Sequence, residues 1–156
     1  VSPKLQEELT QSKPFASQAV EAYLSLQLTA EMLSWALTER LKQADLTPAQ
    51  YNVLRILRGA GESGASCTVI SDRLIKKDAD ITRLLDRLES RELVSRERVA
   101  QDRRVIITRI TGTGLALLAE LDAPVAECHR QQLAPLGEKK LATLIKLLEE
   151  VRDIQR

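Results

Sequence analysis

The sequence predicts a mainly α-helical fold interrupted once by a small β-hairpin. Three observations carry that prediction. Apolar residues recur at spacings of three and four through most of the chain. One stretch, Val94 to Ile110, turns instead to alternating and β-branched character around a polar turn. The hydrophobic share is 44% but only four residues are aromatic, so the core must be built from Leu, Ile, Val and Ala, which suit packed helices. At 156 residues the chain has the size of one ordinary domain. Its 29% of charged residues form no long low-complexity block, which argues against disorder.

Taken in order, Ser12-Lys13-Pro14 opens a long helix, with Ser12 as N-cap and Pro14 in the first turn. Its stripe runs through Phe15, Ala19, Ala22, Leu26, Ala30, Leu33, Leu37 and Leu41. Leu24, Leu28, Met32, Trp35 and Ala36 widen it beyond one face. A helix so apolar must bury more than one side, and a chain this short has little to cover it; the expectation is a partner chain. Thr47-Pro48-Ala49-Gln50 is a capping box with Pro at the first helical position, and that helix, Pro48 to Arg58, buries Tyr51, Val53, Leu54 and Leu57. The run Gly59 to Gly64 reads as a loop. A short helix, Cys67 to Leu74, follows with Val69, Ile70 and Leu74 inward. Asp78 then caps a second one, Ala79 to Arg91, with Ile81, Leu84, Leu85 and Leu88 on its inner face. Two short helices joined by a tight turn make a helix-turn-helix candidate.

The hairpin comes next. Val94 to Val99 and Arg104 to Ile110 are the strands, and Ala100-Gln101-Asp102-Arg103 is the turn. A hairpin with arginines at its tip, directly after a recognition helix, is the order that a winged helix requires. Thr111 caps a further helix, with Leu115, Leu117, Leu118 and Leu121 apolar and Pro124 placed to bend it. After Pro135-Leu136-Gly137 the last helix carries Leu141, Leu144, Ile145, Leu148 and Val151 on one face.

Net charge is only +1, but from Ser66 to Ile110 eleven Lys/Arg stand against eight Asp/Glu, a local +3. Cys67 and Cys128 are far apart and read as small buried hydrophobes of a reducing compartment. The single His129 beside Cys128 makes no metal-ligand set. No stretch approaches the ~20 apolar residues that span a bilayer, and none reads as a signal peptide, so the expectation is a cytoplasmic protein without cofactor.

Four pieces then resemble the MarR (multiple antibiotic resistance regulator) family of transcription factors. They are Leu46 to Leu54, Asp80 to Glu89, Asp102-Arg103-Arg104, and Ile110-Thr111 followed by glycines, in the family's order and spacing. The resemblance covers essentially the whole chain. It implies a winged helix-turn-helix lobe over 46–111 and a helical dimerisation region made of 1–45 and 112–156. It implies a homodimer bound to double-stranded DNA at a pseudo-palindromic operator, most often as a repressor, with a small aromatic or phenolic molecule as effector. Two departures stand out: Ile75-Lys76-Lys77-Asp78 lacks the Gly common in that turn, and Glu92 replaces a common helix-ending Gly. If Glu92 is left-handed, the residue costs on the order of 1 kcal/mol. No reactive cysteine lies in the first helix, so the peroxide-sensing branch does not fit.

The DNA-contact candidates are Asp80, Thr82, Arg83, Arg87, Arg103 and Arg104. The bland alternative for Thr82 and Arg83 is solvated helix surface. Arg87 could instead pair with Asp86, Asp102 or a backbone group, and one wing arginine could brace Asp102. Asp80 could accept from a cytosine amine or simply favour the helix start. Tyr23 and Trp35 are the effector candidates, although rings at helical spacing equally suit a core. A rival reading is a winged helix that binds protein and not DNA. An enzyme reading finds one His, no Gly-rich phosphate loop and no nucleophile-base set to stand on.

Overall fold

The computed structural model describes residues 3–77, 79–102 and 104–154. Among the described residues there are seven α-helices and a small sheet: α1 (Pro3–Glu8), α2 (Gln18–Leu41), α3 (Pro48–Ala60), α4 (Cys67–Arg73), α5 (Ile81–Ser90), α6 (Gly112–Leu133) and α7 (Gly137–Asp153). The strands are β1 (Ala65–Ser66), β2 (Val94–Arg98) and β3 (Ile106–Ile110), all antiparallel in the order β1-β3-β2. In the hairpin Val94 faces Ile110 and Arg98 faces Ile106. The mainly α fold with one small wing is therefore as the sequence implies. No helix among the described residues is long and apolar enough to cross a membrane.

Local chemistry sets most boundaries. Thr47 and Gln50 form the reciprocal capping box of α3, at 3.2 and 2.9 Å. Tyr51, Val53, Leu54 and Leu57 from that helix enter the core with Ile70, Leu74, Leu85, Leu88, Val94 and Leu118. Thr111 caps α6 by accepting from the Gly114 amide at 3.1 Å, and α6 runs on through Pro124. Glu92 is left-handed (φ 57°), the strain its replacement of a glycine implies. Two bonds support it: the Leu93 amide closes back on the Leu88 carbonyl at 3.0 Å, and the Thr111 hydroxyl donates to the Glu92 carbonyl at 2.6 Å.

Several expectations need correction. The long helix starts at Gln18 and not near Phe15, because Ser17, and not Ser12, accepts from an amide of the first turn (Val20, 3.3 Å). The proposed cap Asp78 lies outside the described residues; Asp80 is the N-cap of α5, accepting from the Arg83 amide at 3.1 Å, so that helix begins two residues later than expected. Val69 is 37% exposed, since a two-turn helix has room inward for the i, i+4 pair Ile70 and Leu74 alone. Cys67 is exposed and not buried, whereas Cys128 is buried. Helix α1 and strand β1 were not expected at all.

One link between α3 and α6 titrates. The Arg58 guanidinium donates twice to Asp122, at 2.8 and 3.0 Å, and this hydrogen bonding holds the Asp122 carboxyl below its ordinary value. A depressed folded pKa contributes stability that is present above the unfolded value of about 3.9 and lost as pH falls through the folded one. Asp122→Asn should therefore melt slightly below wild type at neutral pH. The gap in Tm should close as pH drops beneath the carboxylate range. A gap that persists there would remove the pair as its cause.

Candidate nucleic-acid interface

The site is built on α5 and the wing. Helix α5 turns Leu85 and Leu88 into the core and leaves Thr82, Arg83, Asp86 and Arg87 exposed, with Asp80 exposed at its start. Asp80 uses Oδ1 to cap its own helix. A shallow depression of about 320 Å³ lies along this face, lined by Lys76, Asp80, Arg83 and Arg87 together with Ala49, Ala79 and Leu84. Three cations and one carboxylate meet there, so the local field is positive. Lys76 was missed as a candidate. Its signal was available: a cation in the turn just before the recognition helix.

The remaining charges of the lobe divide into occupied and open groups. Arg96 on β2 reaches back to α5, donating to Glu89 at 2.8 and 2.5 Å and to Asp86 at 2.7 Å. Glu89, with Asp86 behind it, raises the Arg96 pKa further above its already high ordinary value. The wing is thereby fastened to the recognition helix, and Asp86 is taken by Arg96 and not by Arg87. Arg109 donates to the Glu62 carbonyl at 2.7 Å and to Glu97 at 3.2 Å. Lys77 folds back on the Ser71 and Asp72 carbonyls at the end of α4. Lys76, Arg83, Arg87 and Arg104, by contrast, have side chains with no partner among the described residues.

At the wing tip the Asp102 carboxylate accepts from the Arg104 amide at 3.0 Å, and its carbonyl accepts from the Val105 amide at 3.0 Å. Asp102 thus shapes the turn through backbone, which leaves the Arg104 guanidinium exposed. Arg103 lies outside the described residues. Thr82, Arg83, Arg87 and Asp80 are brought together by one helix face, and Arg104 stands on the adjoining hairpin. Tyr23 and Trp35 lie far along the chain on α2, 61% and 67% exposed.

Comparison with known proteins places this geometry. The family model described as MarR family matches residues 44–105, which span α3, the helix-turn-helix, β2 and the wing turn and stop before β3. The transcriptional repressor MdtR of Bacillus subtilis (strain 168) is 34% identical over 118 residues, covering 76% of this chain and 75% of its own length. A MarR transcription factor structure from Planctomyces limnophilus shares 41% identity at a TM-score of 0.69, over 87% of this chain and 98% of that one. A mutant MarR from E. coli complexed with operator DNA shares 25% identity at a TM-score of 0.79, over 89% of this chain and 99% of that one. With the helix-turn-helix, the wing and these relatives in agreement, the chain belongs to the MarR family of winged-helix, DNA-binding transcription regulators.

Proposed function

We propose that this regulator acts as a homodimer on a two-fold-related DNA site, each α5 in a major groove and each wing tip at a minor groove. The observation that carries the reading is the exposed face of α5, where Arg83, Arg87 and Lys76 have no side-chain partner among the described residues, beside a wing that ion pairs hold to the same helix. Arg83 is assigned to base readout, since its fork matches guanine O6 and N7. Asp80, with Oδ2 left over from capping, accepts from a cytosine amine, and Thr82 contacts the neighbouring edge. Arg87 and Lys76 neutralise phosphates, and Arg103 and Arg104 serve the wing tip, where a narrow minor groove draws arginine. The lobe is 46–111; the dimerisation region is 1–45 with 112–156.

Exposed apolar surface supports the dimer. Helix α7 has no buried residue, and Ile145, Leu147 and Val151 lie about half exposed. On α2, Val20, Leu26 and Met32 are exposed along with Tyr23 and Trp35. Apolar surface on this scale calls for a second copy to cover it. Sedimentation at micromolar concentration should give a dimer, and deleting residues 142–156 should aggregate the chain; a stable folded monomer would contradict both. Tyr23 and Trp35 are each a candidate contact for a small aromatic effector at the edge of that apolar surface; twelve residues and about 18 Å apart on α2, they would not share one pocket within a single chain. Repression by occupying a promoter, in the cytoplasm and without a catalytic step, is the activity assigned, in keeping with a relative named a repressor.

Salt separates this reading from a protein-binding winged helix. If roughly six to ten phosphates are neutralised per dimer, duplex affinity should fall on the order of 10³-fold or more between about 50 and 200 mM salt. Fluorescence anisotropy on a labelled duplex measures it. Absence of duplex binding at the low-salt end would favour the protein-binding alternative.

A further inference from the structure

Two helix ends face each other in this fold, and they are built alike. The short 3-10 turn Lys42–Ala44 that extends α2 ends on Asp45, left-handed at φ 50°, and the Leu46 amide returns to the Leu41 carbonyl at 3.2 Å. Helix α5 ends the same way on Glu92, with Leu93 returning to Leu88 at 3.0 Å. Neither end has the glycine such a turn favours. Arg91, the residue before Glu92, bridges them. Its Nη1 donates to the Asp45 carbonyl at 2.5 Å and its Nη2 to the Ala44 carbonyl at 2.9 Å. The guanidinium fork therefore straddles two successive carbonyls at the C-terminal end of the α2 segment, where a cation is favoured.

The larger packing contacts of α5 are with α3, α4 and β2, and α3 in turn packs on α2, with Leu41 of α2 in the same core as Leu85 and Leu88. Toward α2 there is a groove of about 470 Å³, lined by Thr38 and Lys42 on one side and by Arg87 and Ser90 on the other. The fork crosses that groove from residue 91 to residues 44 and 45, which end the helix holding the exposed apolar face.

We propose that Arg91 is a positioning residue: together with α3, which packs on both helices, its fork sets the angle between α5 and α2, and so the separation of the two recognition helices on DNA. The inference rests on the dimeric reading above. The lever is short. Helix α5 has ten residues, so it is about 15 Å long, and a swing of roughly 13° about its Arg91 end moves the far end by about 3.4 Å, one base-pair rise. A guanidinium holding two carbonyls resists such a swing. An ammonium in its place is a point donor and resists it less.

The test uses the duplex that the wild-type chain selects from a random pool, and two versions with the central spacer one base pair longer or shorter. Wild type should lose about tenfold or more on either altered spacer, because one half-site is then out of register. Arg91→Ala should bind all three within about threefold, with Arg91→Lys between. The salt slope on the selected duplex should not change, since Arg91 neutralises no phosphate in this account. Wild-type spacer discrimination in a folded Arg91→Ala protein would overturn the proposal, and so would a shallower salt slope, which would make Arg91 a phosphate contact. Should the alanine variant fail to fold, Arg91→Lys decides, and discrimination equal to wild type overturns the proposal. A wild-type pool without a two-fold consensus removes the dimeric reading and this inference together, whereas an intact consensus with unchanged spacer ratios removes this inference alone.

Discussion

Replacing Arg83 with alanine is expected to weaken binding to the specific site by roughly 1–3 kcal/mol, about 5- to 150-fold, with much less lost on scrambled DNA. The reason lies in how α5 is set. Asp80 caps the helix through the Arg83 amide, while the Arg83 side chain stays exposed and has no partner among the described residues. A guanidinium held at the first turn of a recognition helix can fork onto a guanine, and alanine cannot. The backbone amide remains, so the cap survives the substitution and the fold should too. Arg104 gives the contrast. It sits on the wing turn that Asp102 shapes through the Arg104 amide, so Arg104→Ala should weaken specific and scrambled duplexes alike. It should also make the salt slope shallower by about one unit for each phosphate contact removed. Titrating both variants on both duplexes at several salt concentrations reads the two effects apart. Unaltered specific binding by folded Arg83→Ala would show that the recognition face has been placed wrongly.

Gly64→Ala should produce a large fall in stability, on the order of 3 kcal/mol, or about 6–12 °C in Tm for a domain of this size. Gly64 is left-handed at φ 65°, a conformation that L side chains rarely adopt. A Cβ there would also stand 2.5 Å from the Thr108 carbonyl and 2.8 Å from the Ile107 side chain. The carbonyl belongs to the central strand, so it cannot yield without disturbing β3 and hence the wing. Gly59 makes the control. It lies inside α3 with nothing within 4 Å of an added Cβ, so Gly59→Ala should raise stability by about 0.5–1 kcal/mol. Thermal melts of the two variants should move in opposite directions, and equal shifts would contradict the local accounting.

Much of this was legible in the sequence because local chemistry determined it. The Thr47-Gln50 capping box, the Thr111 cap and the change of period after Leu93 each depend on neighbours within a few residues. Glu92 was legible as a candidate strained helix end only through the family resemblance, which places a glycine there; the left-handed backbone is the structure's finding. What could not be read depends on competition or on distance. Ser12 and Ser17 are both plausible caps, and only the folded backbone shows which oxygen reaches an amide. Asp86 sits next to Arg87 in sequence but is held by Arg96, ten residues on, because the hairpin folds back over α5. Strand β1 has two residues and exists through its pairing with β3, which no local pattern announces. The cations sort likewise: Lys76 and Lys77 are adjacent, yet one lines the α5 face and the other closes the end of α4.

Selecting bound duplexes from a random pool shows whether two copies of α5 read a symmetric duplex. A two-fold symmetric consensus is expected, with half-sites centred about one helical turn apart, roughly 34–36 Å. Enrichment of a single asymmetric site, or no enrichment at low salt, would contradict it.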